Sequence, residues 1–214
     1  MLATNERQSV VDLCINLSKR GYLAGTGGNV ALRVDDELIA VTPSAVDYLT
    51  MTSADVCVVR LADLSQVDGQ RNPSVETGLH AGLMRQRPDV GCSIHTHQPI
   101  ASACALLRKP LMVTDPSAAQ RIGSCIPLVG YMPSGTGLLA RKVSRAIRPD
   151  INAYLMRNHG VICCGKTLSD AVEAVETLEE QARQWLFDAI ASEAHAWPGK
   201  AITLQRVQAL LGEK

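Results

Sequence analysis

Short strand-like runs alternate irregularly with helical segments along this chain, and this alternation is the strongest constraint on its fold. Apolar periodicity predicts helices over residues 6–21, 75–87, 99–107, 137–147, 168–191 and 204–211. Short apolar runs predict strands over residues 30–34, 38–41, 56–61, 90–94, 126–129, 153–157 and 160–164. A turn at Asp35-Asp36 joins two of these strands as a hairpin. Because we find no internal repeat or linker, the 214 residues are predicted to form one α/β domain over 1–214.

The charge balance argues against a polyanionic partner. Lys and Arg total 21, as do Asp and Glu, and aromatic residues make up 3% of the chain, so no nucleic-acid surface is indicated. No apolar run reaches the roughly 18–20 residues that span a bilayer, and the N-terminus lacks a signal-peptide core. The sequence therefore predicts a soluble, cytoplasmic protein with neither a nucleic-acid nor a membrane partner. Its seven cysteines, an odd number without a CxxC pair, are predicted to be buried free thiols.

His95-Thr96-His97 places two imidazoles two residues apart at the end of the predicted strand 90–94. Residues i and i+2 of a strand point to the same face, so both rings can converge on one point. Two neutral imidazoles and a third ligand form the usual shell of a catalytic zinc or related divalent ion. His159, between two predicted strands and next to Gly160, is the third candidate. A lone histidine on an apolar strand is more often structural, but this spacing indicates a metal enzyme.

Glu76 is the best-placed carboxylate for acid/base chemistry, at the start of the predicted helix 75–87. Ser74 is predicted to be the N-cap of that helix and Pro88 its stop. A glutamate in the first turn also complements the helix dipole, which would explain Glu76 without any catalytic role. His80 shares a helix face with Glu76 and is either a fourth ligand or, as we favour, a packed or hydrogen-bonded residue.

A glycine-rich loop, Gly25-Thr26-Gly27-Gly28-Asn29, precedes the first predicted strand. Glycines let backbone N–H groups converge on an anion, so this loop could cradle a phosphate. It lacks the GK[ST] sequence of a P-loop, and it is not a GxGxxG fingerprint after a strand, so a nucleotide site is not indicated. Taken alone, this loop and Thr42-Pro43-Ser44 are equally well explained as plain turns.

Five segments together resemble the class II aldolase/adducin family, of the fuculose-1-phosphate aldolase type. They are GTGGNVALR (25–33), VTPSAVDY (41–48), NPSVETGLHAGL (72–83), SIHTHQ (93–98) and RNHGVICCGKTLSDAVEAVETLEEQA (157–182). The segments occur in the family's order and cover most of the chain. The resemblance implies a single-domain three-layer α/β/α fold with a mixed, mostly antiparallel central sheet. It also implies a homotetramer with active sites at the subunit interfaces.

The resemblance further implies roles for individual residues. A divalent metal, zinc or another such as Mn2+ or Co2+, would be held by His95, His97 and His159. Glu76 would be the catalytic acid/base. The phosphate of a small sugar phosphate would be bound by Thr26, Gly28, Asn29, Ser44 and Ser74.

The implied reaction is that of a lyase that cleaves the aldol bond of a sugar phosphate through a metal-stabilised enediolate. Decarboxylases, dehydratases and 4-epimerases of related phosphates share the scaffold, and the non-catalytic adducin branch is a further alternative. The 4-epimerases typically carry aspartate where Glu76 stands, which argues against that activity. The chain departs from the aldolases at Ala45, where glycine is usual, and at Val75, where a second serine is common. It also lacks a tyrosine over residues 113–123.

Overall fold

The computed structural model describes residues 1–23, 25–196, 202, 205–207 and 209. In this part of the chain the α-helices are α1 (Thr4–Lys19), α2 (Thr77–Gln86), α3 (Pro99–Cys104), α4 (Pro116–Ile122), α5 (Gly137–Ala146) and α6 (Leu168–Ala196). Half of the predicted helix over 204–211 lies outside the described residues, and the described residues 205–207 and 209 are helical. None of the described helices has both the length and the apolar composition needed to cross a membrane.

The strands are β1 (Asn29–Arg33), β2 (Leu38–Val41), β3 (Cys57–Arg60), β4 (Gln66–Asp68), β5 (Cys92–Thr96), β6 (Leu111–Met112), β7 (Cys125–Ile126), β8 (Leu128–Val129), β9 (Ala153–Met156) and β10 (Val161–Gly165). Eight of them form one sheet in the order β4-β3-β2-β1-β5-β10-β9-β8, while β6 and β7 pair separately. Neighbouring strands in the large sheet are antiparallel, except that β8 and β9 are parallel. The mixed, mostly antiparallel sheet implied by the resemblance is confirmed.

Helices cover both faces of this sheet, and a separate apolar cluster fills each interface. On one face, Leu17 of α1 and Leu178 of α6 pack in a buried cluster with Ile94 of β5. On the other face, Leu83 of α2 and Val143 of α5 belong to a second buried cluster. Burying a side chain of this size contributes about 1.5–3 kcal/mol. The three-layer α/β/α arrangement is therefore confirmed.

The prediction of one strand over 126–129 is wrong. Pro127 divides this segment into β7, which pairs with β6, and β8, which pairs with β9. Proline has no backbone N–H to donate to a ladder, although its carbonyl still accepts a hydrogen bond from the Leu155 N–H at 3.0 Å. The short elements β4, β6 and α4 are not predicted from the sequence.

The prediction that Ser74 is the N-cap of α2 is also wrong, because the helix begins later, at Thr77. Ser74 instead closes a turn ahead of the helix. Its hydroxyl accepts a hydrogen bond from the Glu76 N–H at 3.2 Å, and its carbonyl accepts one from the Thr77 N–H at 3.0 Å. Glu76 therefore occupies the N-cap position, where its side chain reaches β5 rather than capping its own helix.

Candidate metal centre

The central strand β5 positions the candidate site. In the sheet register His95 lies opposite Asn29 of β1 and Ile162 of β10. The neighbouring Ile94 packs into the cluster with α1 and α6. Because side chains alternate along a strand, His95 is directed toward the opposite layer, formed by α2 and α5. The strand ends at Thr96, and His97 follows it into the turn before α3.

Three histidine rings meet at this end of β5. The ring centroid of His95 lies 4.8 Å from that of His97 and 4.8 Å from that of His159, and the other two centroids are 5.3 Å apart. One nitrogen from each ring lies within 4.8 Å of the others. His95 is fully buried, whereas His97 is exposed, so the group is accessible from one side. The structure thus brings together the three residues expected to be metal ligands.

His159 reaches this group because of the tight turn between β9 and β10. Asn158 adopts a left-handed conformation with φ 55°, which asparagine tolerates better than most residues. Gly160 follows His159, and a Cβ at that position would lie 2.5 Å from His97 Cδ2 and 3.1 Å from His95 Cε1. Only a glycine leaves room for the three rings here.

The hydrogen bonds of His95 fit the role of a metal ligand. Its Nδ1 lies 2.6 Å from the carbonyl oxygen of Val161, which can only accept, so Nδ1 carries a proton and Nε2 is the nitrogen left to bind a metal. Nε2 faces His97 Nε2 at 3.0 Å and Glu76 Oε2 at 3.3 Å. His97 is exposed as a whole, but its ring is partly buried, and this partial burial, together with His95 and His159, lowers the pKa of His97 to about 4, so His97 is neutral near pH 7. Electron-rich atoms that converge in this way suit a divalent cation.

The carboxylate of Glu76 lies against this group and is almost completely buried. One oxygen, Oε1, accepts a hydrogen bond from the Ser134 hydroxyl at 2.7 Å and lies 3.1 Å from His159 Nε2. The other, Oε2, accepts one from the Asn29 side-chain amide at 2.9 Å. Burial alone would raise the pKa of Glu76, but its contacts with His159 and His95, and the Ser134 hydrogen bond, hold it well below the ordinary value. Glu76 is therefore ionised.

His80 lies outside the three-histidine group and is fully buried beneath it. Its Nδ1 is 2.8 Å from the Ser93 hydroxyl, and its Nε2 is 2.6 Å from Asn29 Oδ1. Both ring nitrogens are thus occupied. Of the two interpretations of this residue, the structure supports the hydrogen-bonded helix histidine and not the fourth ligand.

The residues expected to bind phosphate are divided between two environments. Ser44 and Ser74 lie on loops that are held together: the Ser44 N–H donates to Asn72 at 2.9 Å, the Ser74 N–H donates to Thr42 at 3.0 Å, and Pro43 pairs with Pro73. Both ends of the Asn29 side chain are used inside the protein by Glu76 and His80.

The remaining two phosphate candidates lie in the glycine-rich loop. Thr26 is exposed, whereas Gly28 is buried. Gly28 has a φ of +84°, and a Cβ there would lie 2.7 Å from the carbonyl oxygen of His95. This glycine is therefore required for close packing against β5, whether or not its backbone also binds a ligand.

Two contributors to the site were not predicted from the sequence. Ser134 lies in the exposed loop before α5, and no spacing pattern connects it with Glu76. Glu179 of α6 accepts hydrogen bonds from the N–H groups of Ile100 and Ala101, at 2.8 and 2.9 Å. Its carboxylate thereby caps the N-terminus of α3, the helix that follows His97, where the positive end of the helix dipole stabilises an anion.

An eight-stranded α/β fold with three converging imidazoles and a buried carboxylate defines a protein with a candidate metal centre. The chain belongs to the family described as the class II aldolase and adducin N-terminal domain, whose profile matches residues 8–186.

Relatives with described activities are similar over most of the chain. An L-fuculose phosphate aldolase of Methanococcus maripaludis is 32% identical over 173 residues, which is 81% of this chain and 92% of that protein. A 5-methylthioribulose-1-phosphate/5-deoxyribulose-1-phosphate aldolase of Rhodospirillum rubrum is 31% identical over 84% of this chain and 79% of its own length.

Solved structures show the same fold. An L-fuculose 1-phosphate aldolase superimposes with a TM-score of 0.80 and 26% identity, and the match covers 88% of each chain. YgbL of Escherichia coli, described as a candidate aldolase, epimerase or decarboxylase, gives a TM-score of 0.78 with 26% identity. That match covers 86% of this chain and 89% of YgbL.

Proposed function

We propose that this protein is a divalent-metal-dependent lyase that cleaves the aldol bond of a small sugar phosphate. The observation that carries the proposal is the contact between the Glu76 carboxylate and two of the three histidines, at 3.1 and 3.3 Å. A metal site and an acid/base adjacent to it are the two parts that such a cleavage requires. The relatives described as sugar-phosphate aldolases support the same reaction class.

His95, His97 and His159 would hold the cation, and we favour zinc because three imidazoles are a usual zinc ligand set. A divalent cation bound there would supply Lewis acidity toward the carbonyl oxygen of the substrate and toward the negative charge that develops on it. As the C–C bond breaks, the ionised Glu76 would take up the proton of the hydroxyl on the carbon that becomes the aldehyde, and it would then deliver a proton to the carbon next to the substrate carbonyl. Ser134 and Asn29 each hold one of its oxygens, so the carboxylate is oriented before substrate arrives.

The phosphate of the substrate would bind where the loops that carry Ser44 and Ser74 are joined. Their hydroxyls, with backbone N–H groups of the glycine-rich loop around Thr26 and Gly28, would be the donors. The side chain of Asn29 is already committed to Glu76 and His80, so we assign to it a role in the acid/base rather than in phosphate binding. We also propose that the protein is cytoplasmic and forms a homotetramer. The mass of the protein in solution would test the tetramer.

The reaction is tested with ketose 1-phosphates, pentulose 5-phosphates and oxo-tetronate phosphates, each followed for aldehyde, carbon dioxide and epimer formation. We expect aldehyde release, and we expect Glu76→Gln to abolish it while the metal content is unchanged. Glu180→Gln, at an exposed position on α6, is the matched control and should behave like wild type. Release of carbon dioxide or of an epimer without aldehyde would contradict the aldolase assignment, and full turnover by Glu76→Gln would contradict its role.

The metal is tested by elemental analysis and by chelation. We expect about one divalent ion per chain and loss of turnover when a chelator removes it, with recovery on adding Zn2+, Mn2+ or Co2+. His97→Ala should lose metal and activity together. Turnover by metal-free protein would refute the proposal.

A further inference from the structure

A buried chain of four polar side chains runs beneath the candidate site and ends on Glu76. The Ser93 hydroxyl lies 2.8 Å from His80 Nδ1, and His80 Nε2 lies 2.6 Å from Asn29 Oδ1. Asn29 Nδ2 then lies 2.9 Å from Glu76 Oε2. The four side chains come from β5, α2, β1 and the start of α2, and all are buried. The contacts of Glu76 described above therefore depend on residues further inside the protein.

The chemistry of these groups sets the direction of every hydrogen bond. Asn29 turns its NH2 group, which only donates, toward Glu76 Oε2, and its oxygen, which only accepts, toward His80. His80 must then donate from Nε2, which leaves its Nδ1 to accept from the Ser93 hydroxyl. Burial lowers the pKa of His80 to about 3, so the ring is neutral near pH 7 and carries the single proton that this pattern needs.

We propose that His80 is a positioning residue: its Nε2–H fixes the Asn29 amide, and that amide holds the Glu76 carboxylate in the orientation for proton transfer. The part that concerns proton transfer rests on the proposed function. His80 does not line the three-histidine group and does not act on the substrate. Without its donor, Asn29 Oδ1 would be buried without a partner, and an amide that rotated to relieve this would turn its oxygen toward the carboxylate.

The first test compares His80→Met with His80→Gln. Methionine has a similar length but no donor, whereas the glutamine amide can donate to Asn29 near the position of Nε2. We expect His80→Met to lower kcat by about 10–100-fold, the usual effect of losing an outer partner, with KM and metal content close to wild type. His80→Gln should recover most of that loss. Equal kcat values for the two variants would overturn the proposal.

A double-mutant cycle with Asn29→Ala separates positioning from a general effect on stability. If His80 acts only through Asn29, the double variant should have a kcat within about twofold of that of Asn29→Ala alone. A difference of up to about twofold is the usual scatter in such a cycle. If His80 had a purely structural role, the fold-losses in kcat of the two single variants would multiply in the double variant. Multiplicative losses would therefore refute the proposal even if both single variants fold.

A measurement on the wild-type protein requires no turnover. In protein labelled with 15N-histidine, the ring nitrogens of His80 should show the neutral Nε2–H tautomer at pH 7. The Nδ1–H tautomer, or a charged ring, would overturn the hydrogen-bond direction on which the proposal depends. If no sugar phosphate is turned over, the proposed function fails, and this spectrum still decides the arrangement of His80.

Discussion

Gly160→Ala is the most direct test of how this fold builds its candidate metal centre. A Cβ at Gly160 would meet the carbonyl oxygen of Thr96, His97 Cδ2 at 2.5 Å and His95 Cε1 at 3.1 Å. Ordinary contacts of a Cβ begin at 3.4 Å, so the His97 ring must move by about 1 Å. Because Thr96 belongs to the central strand β5, its backbone carbonyl cannot yield as a surface side chain would.

This displacement is large on the scale of metal coordination, where ligand distances are held within about 0.2 Å. We therefore expect Gly160→Ala to weaken metal binding by at least the roughly 10–100-fold that follows the loss of an outer partner. Overpacking should also destabilise the metal-free protein by about 1–3 kcal/mol, which lowers its unfolding midpoint by roughly 2–12 °C. Metal affinity is measured by competition with a chromogenic chelator, and stability by thermal unfolding in the presence of a chelator.

Gly82→Ala is the matched control, since it adds the same methyl group in a different environment. A Cβ at Gly82, inside α2, would lie 3.9 Å from the side chain of Ser144, which is an ordinary van der Waals contact. Alanine favours a helix over glycine by about 0.5–1 kcal/mol, so this variant should be more stable and should bind metal normally. Unchanged metal affinity in Gly160→Ala would refute the reasoning, because the three rings would then not depend on this glycine.

Two further predictions concern stability. Ala45 has a φ of 55°, a conformation that costs a non-glycine residue about 1–2 kcal/mol, so Ala45→Gly should stabilise the protein by up to about 1 kcal/mol after the entropy of glycine is subtracted. A lower urea midpoint would contradict this. The pKa of His80 is about 3 in the folded protein against about 6.5 when unfolded, so its contribution to stability is complete above pH 6.5 and is lost as pH falls toward 3. We therefore compare the unfolding free energies of wild type and His80→Gln between pH 6 and pH 4, both in the presence of a chelator. As the pH falls, that of wild type should decrease by up to about 1.4 kcal/mol per pH unit more than that of His80→Gln. An equal pH dependence in the two proteins would refute this prediction.

The parts of the fold that can be predicted are those with a clear apolar run bounded by turn residues, or with a long apolar period. The hairpin strands on either side of Asp35-Asp36 are predicted from their apolar runs and that turn, and the helix that begins at Leu168 from its periodicity; the structure confirms them. β6 and α4 were missed because two and seven residues are too short to show a period. The segment 126–129 was misassigned because its apolar composition outweighed the proline at its centre.

The candidate site was predictable only in part, for a related reason. Strand alternation explains why His95 and His97 can face one point, but it gives no distance between either of them and His159. That distance depends on the pairing of β5 with β10, which is a long-range property of the sheet. Ser134 escaped prediction because it belongs to an exposed loop, where no periodic pattern relates sequence to position.

The apolar side chains of the same strands hold the candidate ligands in place. Val30, Ile94 and Cys163 lie side by side in register and are fully buried against the layer of α1 and α6. A slip of one residue in β5 would turn Ile94 to the other face and place Ser93 or His95 among the apolar side chains against α1 and α6, at a cost of several kcal/mol. The same slip would turn His95 away from Glu76. The packing of one face of the sheet therefore fixes the register that the chemistry on the other face requires.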